Sequence, residues 1–226
     1  MTQFGLLIFA TEYAVVPQVL AEQAEMYGFE SLFLPEHTHI PASRKSPWPG
    51  GTDLPKEYWH TFDPFVALTM AASVTQKLKL GTGISLVTER DPILMAKQVA
   101  TLDHLSDGRL VLGIGAGWNK PEVENHGAPF SKRWKITRER ILAMKEIWTK
   151  EEAEYHGEYV QFDKMWSYPK PIQEGGPPIW VGSNAKFVEE RIAEYGDGWI
   201  PIGGREGGAS AEGLKQACEA AGRNFN

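Results

Sequence analysis

The stretch LKLGTGISLVTERDPILMAKQVATLDHLSDGRLVLGIGAG, residues 78 to 117, decides the fold. Its first ten residues and the run RLVLGIGAG from Arg109 are almost uniformly apolar, the pattern of strands buried on both faces. Between them, Asp91 to Leu105 has helical periodicity. Asp91 followed by Pro92 marks the helix start, because the acid can cap free amides and proline's missing N–H costs nothing at the first helical position. Strand, helix and strand in this order make a parallel crossover.

The unit recurs in both directions. Upstream, FGLLIF (4–9) precedes a helix from Pro17 to Tyr27, and SLFLPEH (31–37) precedes one from Asp63 to Thr75, again opened by an Asp-Pro pair. Downstream, RLVLGIGAG leads to a helix from about Thr137 to Thr149. PIWVGS (178–183) precedes a helix from Ala185 to Tyr195, and DGWIPIG (197–203) precedes a last helix near Ser210 to Ala221. These six pairs predict an α/β fold with a parallel sheet covered by helices, either an open doubly wound sheet or an eight-stranded barrel. Two segments stand outside the pattern: residues 39–60, rich in Pro, Trp and Gly, and residues 151–173, which contain a hairpin-like alternation. Without a linker or low-complexity segment, residues 1–226 are expected to form one domain. Six pairs stop two short of a closed barrel, so the open side is expected to be covered by further chain or by a second copy.

Composition narrows the function. The 226 residues are 42% hydrophobic and 23% charged with a formal net charge of −6, which suits a globular chain and gives no footprint for nucleic acid. A lone cysteine, Cys218, allows neither an intrachain disulfide nor a cysteine metal cluster, and suggests a cytoplasmic setting. No apolar run approaches the roughly 18 residues of a membrane span.

In either architecture ligands gather at the carboxyl ends of the strands. Those ends are Thr11-Glu12, Glu36-His37, Gly83 to Thr88, Gly115 to Asn119, Gly182 to Asn184 and Gly203 to Arg205. Their glycine content suggests a flat ligand lying against backbone. Glycine inside a strand adds nothing to the core, so Gly81 and Gly83 imply that something comes close to the third strand. GIGAGW (113–118) lacks the full dinucleotide fingerprint spacing. The turn Gly182-Ser183-Asn184 before a helix suits phosphate, or equally ordinary N-capping. His37 could serve as acid or base, since an unperturbed histidine side chain changes charge near neutrality. Metal-ligand and nucleophile motifs are absent, which leaves a cofactor enzyme as the leading class.

Taken together, GFESLFLPEH (28–37), the 78–122 segment ending in GWNKPE, and PPIWVGSNAKFVEERIAEYGDGWIP (177–201) resemble the luciferase-like monooxygenase superfamily, especially its members that use the deazaflavin coenzyme F420. The resemblance implies a TIM (β/α)8-type barrel, here lacking its last two strand-helix units, with the cofactor at the carboxyl ends. It implies that His37 is the catalytic histidine, with Glu36 beside the cofactor. Thr82, Gly83 and Ile84 match a backstop behind the ring, formed in several relatives by a non-proline cis peptide that would fall at Gly83-Ile84. Gly182, Ser183 and Asn184 match the phosphate turn, and Gly117 and Asn119 of G-x-G-x-G-W-N join the expected cofactor contacts. Trp118 stands where some F420 dehydrogenases carry a glutamate proton donor, which speaks against their sugar-phosphate chemistry.

The expectation is an F420-dependent oxidoreductase acting on a small organic molecule, with no metal and no nucleic-acid or membrane partner. Trp48, Trp59 and Trp118 are expected to wall the substrate pocket. Arg44, Lys45, Arg90, Lys120, Lys132 and Arg133 could form a basic rim. The alternatives are a monooxygenase using reduced FMN and a non-catalytic flavin-binding or structural relative. An incomplete barrel leaves a strand edge exposed, so a homodimer is expected.

Overall fold

A computed structural model describes residues 2–51, 53–203 and 207–225. The elements in chain order are β1 (Gly5–Leu7), α1 (Pro17–Met26), β2 (Ser31–Leu34), α2 (Glu57–His60), α3 (Pro64–Ala72), β3 (Lys79–Thr82) and β4 (Ser85–Leu86). They continue with α4 (Pro92–Leu105), β5 (Leu110–Gly115), α5 (Lys120–Asn125), α6 (Arg133–Thr149), β6 (Ala153–His156), β7 (Gln161–Met165), β8 (Ile179–Gly182), α7 (Val188–Tyr195), β9 (Gly198–Ile200) and α8 (Ala211–Ala220). The main sheet is parallel in the order β1-β2-β3-β5-β8-β9, with β4 also joined to β5. It curls into part of a barrel with helices outside.

Both acid-proline helix starts form as expected. Asp63 accepts from Val66 N and Asp91 from Leu94 N, each capping an amide that the first turn would leave open. Between sheet and helices, the side chains of Leu32, Leu80, Leu112, Ile114, Met95 and Ile141 are buried. Each such burial stabilises by roughly 1.5–3 kcal/mol.

The sheet departs from the sequence reading at β1. FGLLIF was expected to be buried on both faces, yet Leu7 is 57% exposed while Leu112 of β5 is 0% exposed. Among the described residues β1 pairs only with β2, and β9 only with β8. A strand is covered on both faces only where neighbours carry helices and barrel wall past it.

LKLGTGISLV forms two short strands rather than one. Between them the Gly83-Ile84 peptide is cis, as the resemblance implies. What approaches Gly81 is the ring of Phe33, which stacks on Trp180 at a centroid distance of 5.6 Å; any side chain at Gly81 would collide with it. Ile84 then leans on two bare backbones, and a Cβ at Gly115 or Gly182 would strike its side chain. Three glycines on neighbouring strands thus make room for two large side chains at the barrel centre.

Among the described residues both excursions carry secondary structure. Within residues 39–60 lies α2, and β6 and β7 form the expected antiparallel hairpin, whose turn is held by Glu139 accepting from the amides of Glu158, Tyr159 and Val160. Helix α6 starts at Arg133, earlier than the periodicity suggested. Helix α7 starts at Val188, later than Ala185, because Phe187 has a left-handed φ of 68°. None of the described helices is long and apolar enough to cross a membrane.

Candidate functional site

A cavity of about 580 Å³ opens at the carboxyl ends of the strands. It gathers Glu36 and His37 after β2, Gly83 and Ile84 between β3 and β4, Gly117 after β5, and Gly182, Ser183 and Asn184 at the end of β8. Thr82 and Asn119, also expected at the cofactor, are not on its wall. Thr82 is buried with its hydroxyl donating to Gly113 O at 2.6 Å, which spends the side chain on the sheet. Asn119 is buried at the N-cap of α5. Of the three tryptophans, Trp48 and Trp118 line the cavity; Trp59 sits on His60 outside it.

His37 has a partner that the sequence reading did not supply. Its Nδ1 lies 2.9 Å from both carboxylate oxygens of Glu122, on α5. Trp118 Nε1 donates to His37 Nε2 at 3.3 Å, so Nε2 is an acceptor and the ring proton belongs on Nδ1, facing Glu122. Glu122 is 1% exposed. A buried carboxylate behind an imidazole fixes the ring's tautomer and orientation and stabilises the imidazolium that forms when the other nitrogen takes a proton. Around this ring stand Tyr58 and Trp118, with centroids 5.3 and 5.8 Å away, and Trp48 packs on Tyr58 at 5.8 Å.

Glu36 faces a different demand. It is 3% exposed, accepts from Ser85 Oγ at 2.6 Å and Leu86 N at 2.7 Å, and pairs with the Arg90 guanidinium through Nε at 2.7 Å and through Nη2. Arg90 also reaches Asp63. Those contacts lock β4 to the end of β2 and hold the cis peptide's neighbourhood in place. Arg90 is therefore turned inward and does not belong to a basic rim, and Lys120 pairs with Glu124 at 3.7 Å. Among the six basic residues expected at the mouth, Arg133 alone lines the cavity, with its Nε buried and without a hydrogen-bond partner among the described residues. Burial holds its pKa below the ordinary arginine value, with Arg191 adding repulsion.

The opposite wall is built from backbone. Ser183 Oγ accepts from Ala185 N at 3.0 Å, and the Asn184 side chain bridges to Ile202 in both directions at 3.0 Å. The amides at 183–185 therefore belong to a turn before α7 rather than to the helix terminus itself. Gly203 closes this wall, and Gly204 and Arg205 lie outside the described residues.

Glu122, Glu89, Tyr58 and Trp134 complete the surroundings and were missed in the sequence. Asn119-Lys120-Pro121 carries a helix-start signal for α5, but six residues are too few to show periodicity.

A profile of the luciferase-like monooxygenase family matches residues 18–226. An uncharacterized protein of Mycobacterium tuberculosis is 42% identical over 200 residues, covering 87% of this chain and 71% of that relative. Among solved structures, the FMN complex of the oxygenating constituent of 3,6-diketocamphane monooxygenase from Pseudomonas putida superposes with a TM-score of 0.76 at 19% identity. It covers 99% of this chain and 64% of the other. An F420-dependent secondary alcohol dehydrogenase, in complex with an F420-acetone adduct, superposes with a TM-score of 0.77 at 21% identity, over 99% and 66%. The chain belongs to the luciferase-like monooxygenase family.

Proposed function

We propose that this member of the luciferase-like monooxygenase family is an F420-dependent oxidoreductase that moves a hydride between the deazaflavin and a small, largely apolar organic substrate. The observation that carries the reading is the His37–Glu122 pair, a buried, oriented imidazole on the wall of a cavity lined by glycine backbone and aromatic rings. The cavity suits a planar phosphate-bearing cofactor on two counts. Gly83, Gly117 and Gly182 line the cavity, and Arg133, whose Nε has no hydrogen-bond partner among the described residues, lines it together with the Ser183-Asn184 turn.

Bound there, a deazaflavin would supply the hydride chemistry. Gly83 and Ile84 would back its ring, and the 183–185 turn with Arg133 would hold its phosphate. Trp48, Tyr58 and Trp118 would exclude water and shape an apolar pocket. His37 Nε2, released from Trp118, would take a proton from a substrate hydroxyl while Glu122 balances the imidazolium; in the reverse direction it would return that proton. His37→Ala should slow single-turnover hydride transfer by roughly 10²–10⁴-fold with cofactor affinity little changed. An unchanged rate would remove His37 from the chemistry.

A second reading, a monooxygenase using reduced FMN and oxygen, is favoured by the likeness to an FMN-bound monooxygenase and by 27% identity over 212 residues to the pyrimidine monooxygenase RutA of Allorhizobium ampelinum. This chain spans 54% of that relative. The F420 reading rests on the motif combination from 28–37 through 177–201, and separate titrations with the two cofactors distinguish the readings.

A further inference from the structure

Three acidic side chains, Glu36, Glu89 and Glu122, are buried behind His37, at 3%, 8% and 1% exposure. Two of them are compensated: Glu36 by Arg90, Glu122 by His37 itself. Glu89 is not. Its Oε2 accepts from Thr38 Oγ1 at 3.1 Å, while its Oε1 is buried with no hydrogen-bond partner among the described residues. Neighbouring cations do not rescue it, since Arg90 is engaged by Glu36 and Asp63. His126 Nε2 lies 3.7 Å from Glu89, but burial, and then the neighbouring His39, hold His126 below the ordinary histidine pKa and favour its neutral form.

We propose that Glu89 is a positioning residue for His37: it holds a proton in the folded protein, and that proton keeps a second negative charge away from the His37–Glu122 pair. An ionised carboxylate with a buried, unpaired oxygen costs far more than a neutral carboxyl, which buries no net charge. Burial, followed by the charges of Glu122 and Glu36, pushes the Glu89 pKa up to about 9; the Thr38 hydrogen bond and Arg90 oppose the rise. The groups facing this cluster are Glu36 beyond β2, Thr38 and His39 after it, Arg90 next in the chain, and Glu122 and His126 at the two ends of α5. Arg140 of α6 adds its charge at His126.

The consequence for His37 is directional. With Glu89 neutral, one carboxylate faces the imidazole, and His37 can lose its proton and present Nε2 as a base. Were Glu89 ionised, the added negative charge would favour imidazolium and take that base away. Thr38 tunes the balance. Its hydroxyl also meets His126 Nε2 at 2.8 Å and His39 Nδ1 at 3.0 Å, which ties the buried acid to the surface. The catalytic meaning rests on the oxidoreductase reading, whereas the charge coupling is a property of the chain alone.

The test is histidine-selective NMR of the chain with no cofactor added, from pH 5 to pH 10.5, with His37 assigned by its substitution. The expected His37 curve has two steps, its own titration and a smaller second shift as Glu89 loses its proton. Glu89→Gln should abolish the second step. Thr38→Val should move that step to higher pH, since it removes a bond that favours the charged form, and Thr38→Ser should restore it. A single-step curve in the wild type, or a second step that survives Glu89→Gln, overturns the proposal. If Glu89→Gln does not fold, the Thr38→Val and Thr38→Ser pair decides, and equal second steps in both overturn it. Failure of F420 to bind would defeat the functional reading without altering these curves.

Discussion

The two walls of the cavity are made of different material. On the side of β2 to β5 the wall is side chain and charge: Glu36 on Arg90 and His37 on Glu122. On the side of β8 and β9 it is uncharged: Gly182, Ser183, the amide of Asn184, and the apolar Ile200, Pro201 and Ile202. Buried charges are costly and are kept only where partners repay them, whereas backbone amides are oriented by the turn itself and cost little. On the proposed function the difference would divide labour, with proton handling on the first wall and the cofactor's phosphate held on the second.

The largest test of that division is Arg90→Leu. Removing the guanidinium strands the buried carboxylate of Glu36, so unfolding free energy should fall by about 3–5 kcal/mol in urea titrations; a loss below about 1 kcal/mol would show the first wall to be less interlocked than described. Next, Glu122→Gln should lower the rate of the His37-dependent step by roughly tenfold or more, since a neutral amide no longer stabilises the imidazolium, with cofactor affinity unchanged.

Gly182→Ala should do the opposite. Its new Cβ would meet Ile84 Cγ2 at 2.5 Å, so cofactor affinity should drop severalfold while the chemical rate of bound complex is retained. Equal losses of affinity and rate in both variants would erase the contrast between the walls.

The smallest effect concerns pH. Folded Glu89 keeps its proton to about 9, whereas an ordinary carboxyl loses it near 4.5. Within that window folding takes up a proton, so this group's contribution is greatest at the acid end and is lost as pH rises toward 9. Glu89→Gln should flatten the decline and melt above the wild type at pH 8. Parallel melting curves across the window would contradict this.

How much of this was legible depended on whether local pattern sufficed. The parallel strands and the Asp63-Pro64 and Asp91-Pro92 helix starts were readable because apolar runs and caps are local. β1 was misjudged because exposure depends on which strands stand beside it, and FGLLIF resembles RLVLGIGAG in composition. His37 stands after β2, the place that made it a candidate, and lines the cavity. Its partner Glu122 lies 85 residues away and is brought to it by a six-residue helix too short to leave a periodic signature. Glu89, in the run Thr88-Glu89-Arg90, carries no sequence signal for burial. A short 3-10 turn from Val87 to Glu89 carries it inward. The glycines could be read as marks of close approach, but that Phe33 and Ile84 occupy the space required the curled sheet.

The account stands most directly on which cofactor the backbone wall holds. Fluorescence titration of the chain with F420 and, separately, with FMN should show saturable F420 binding that Gly182→Ala weakens and His37→Ala leaves intact. Saturable binding of FMN with none of F420, or of neither, would contradict it.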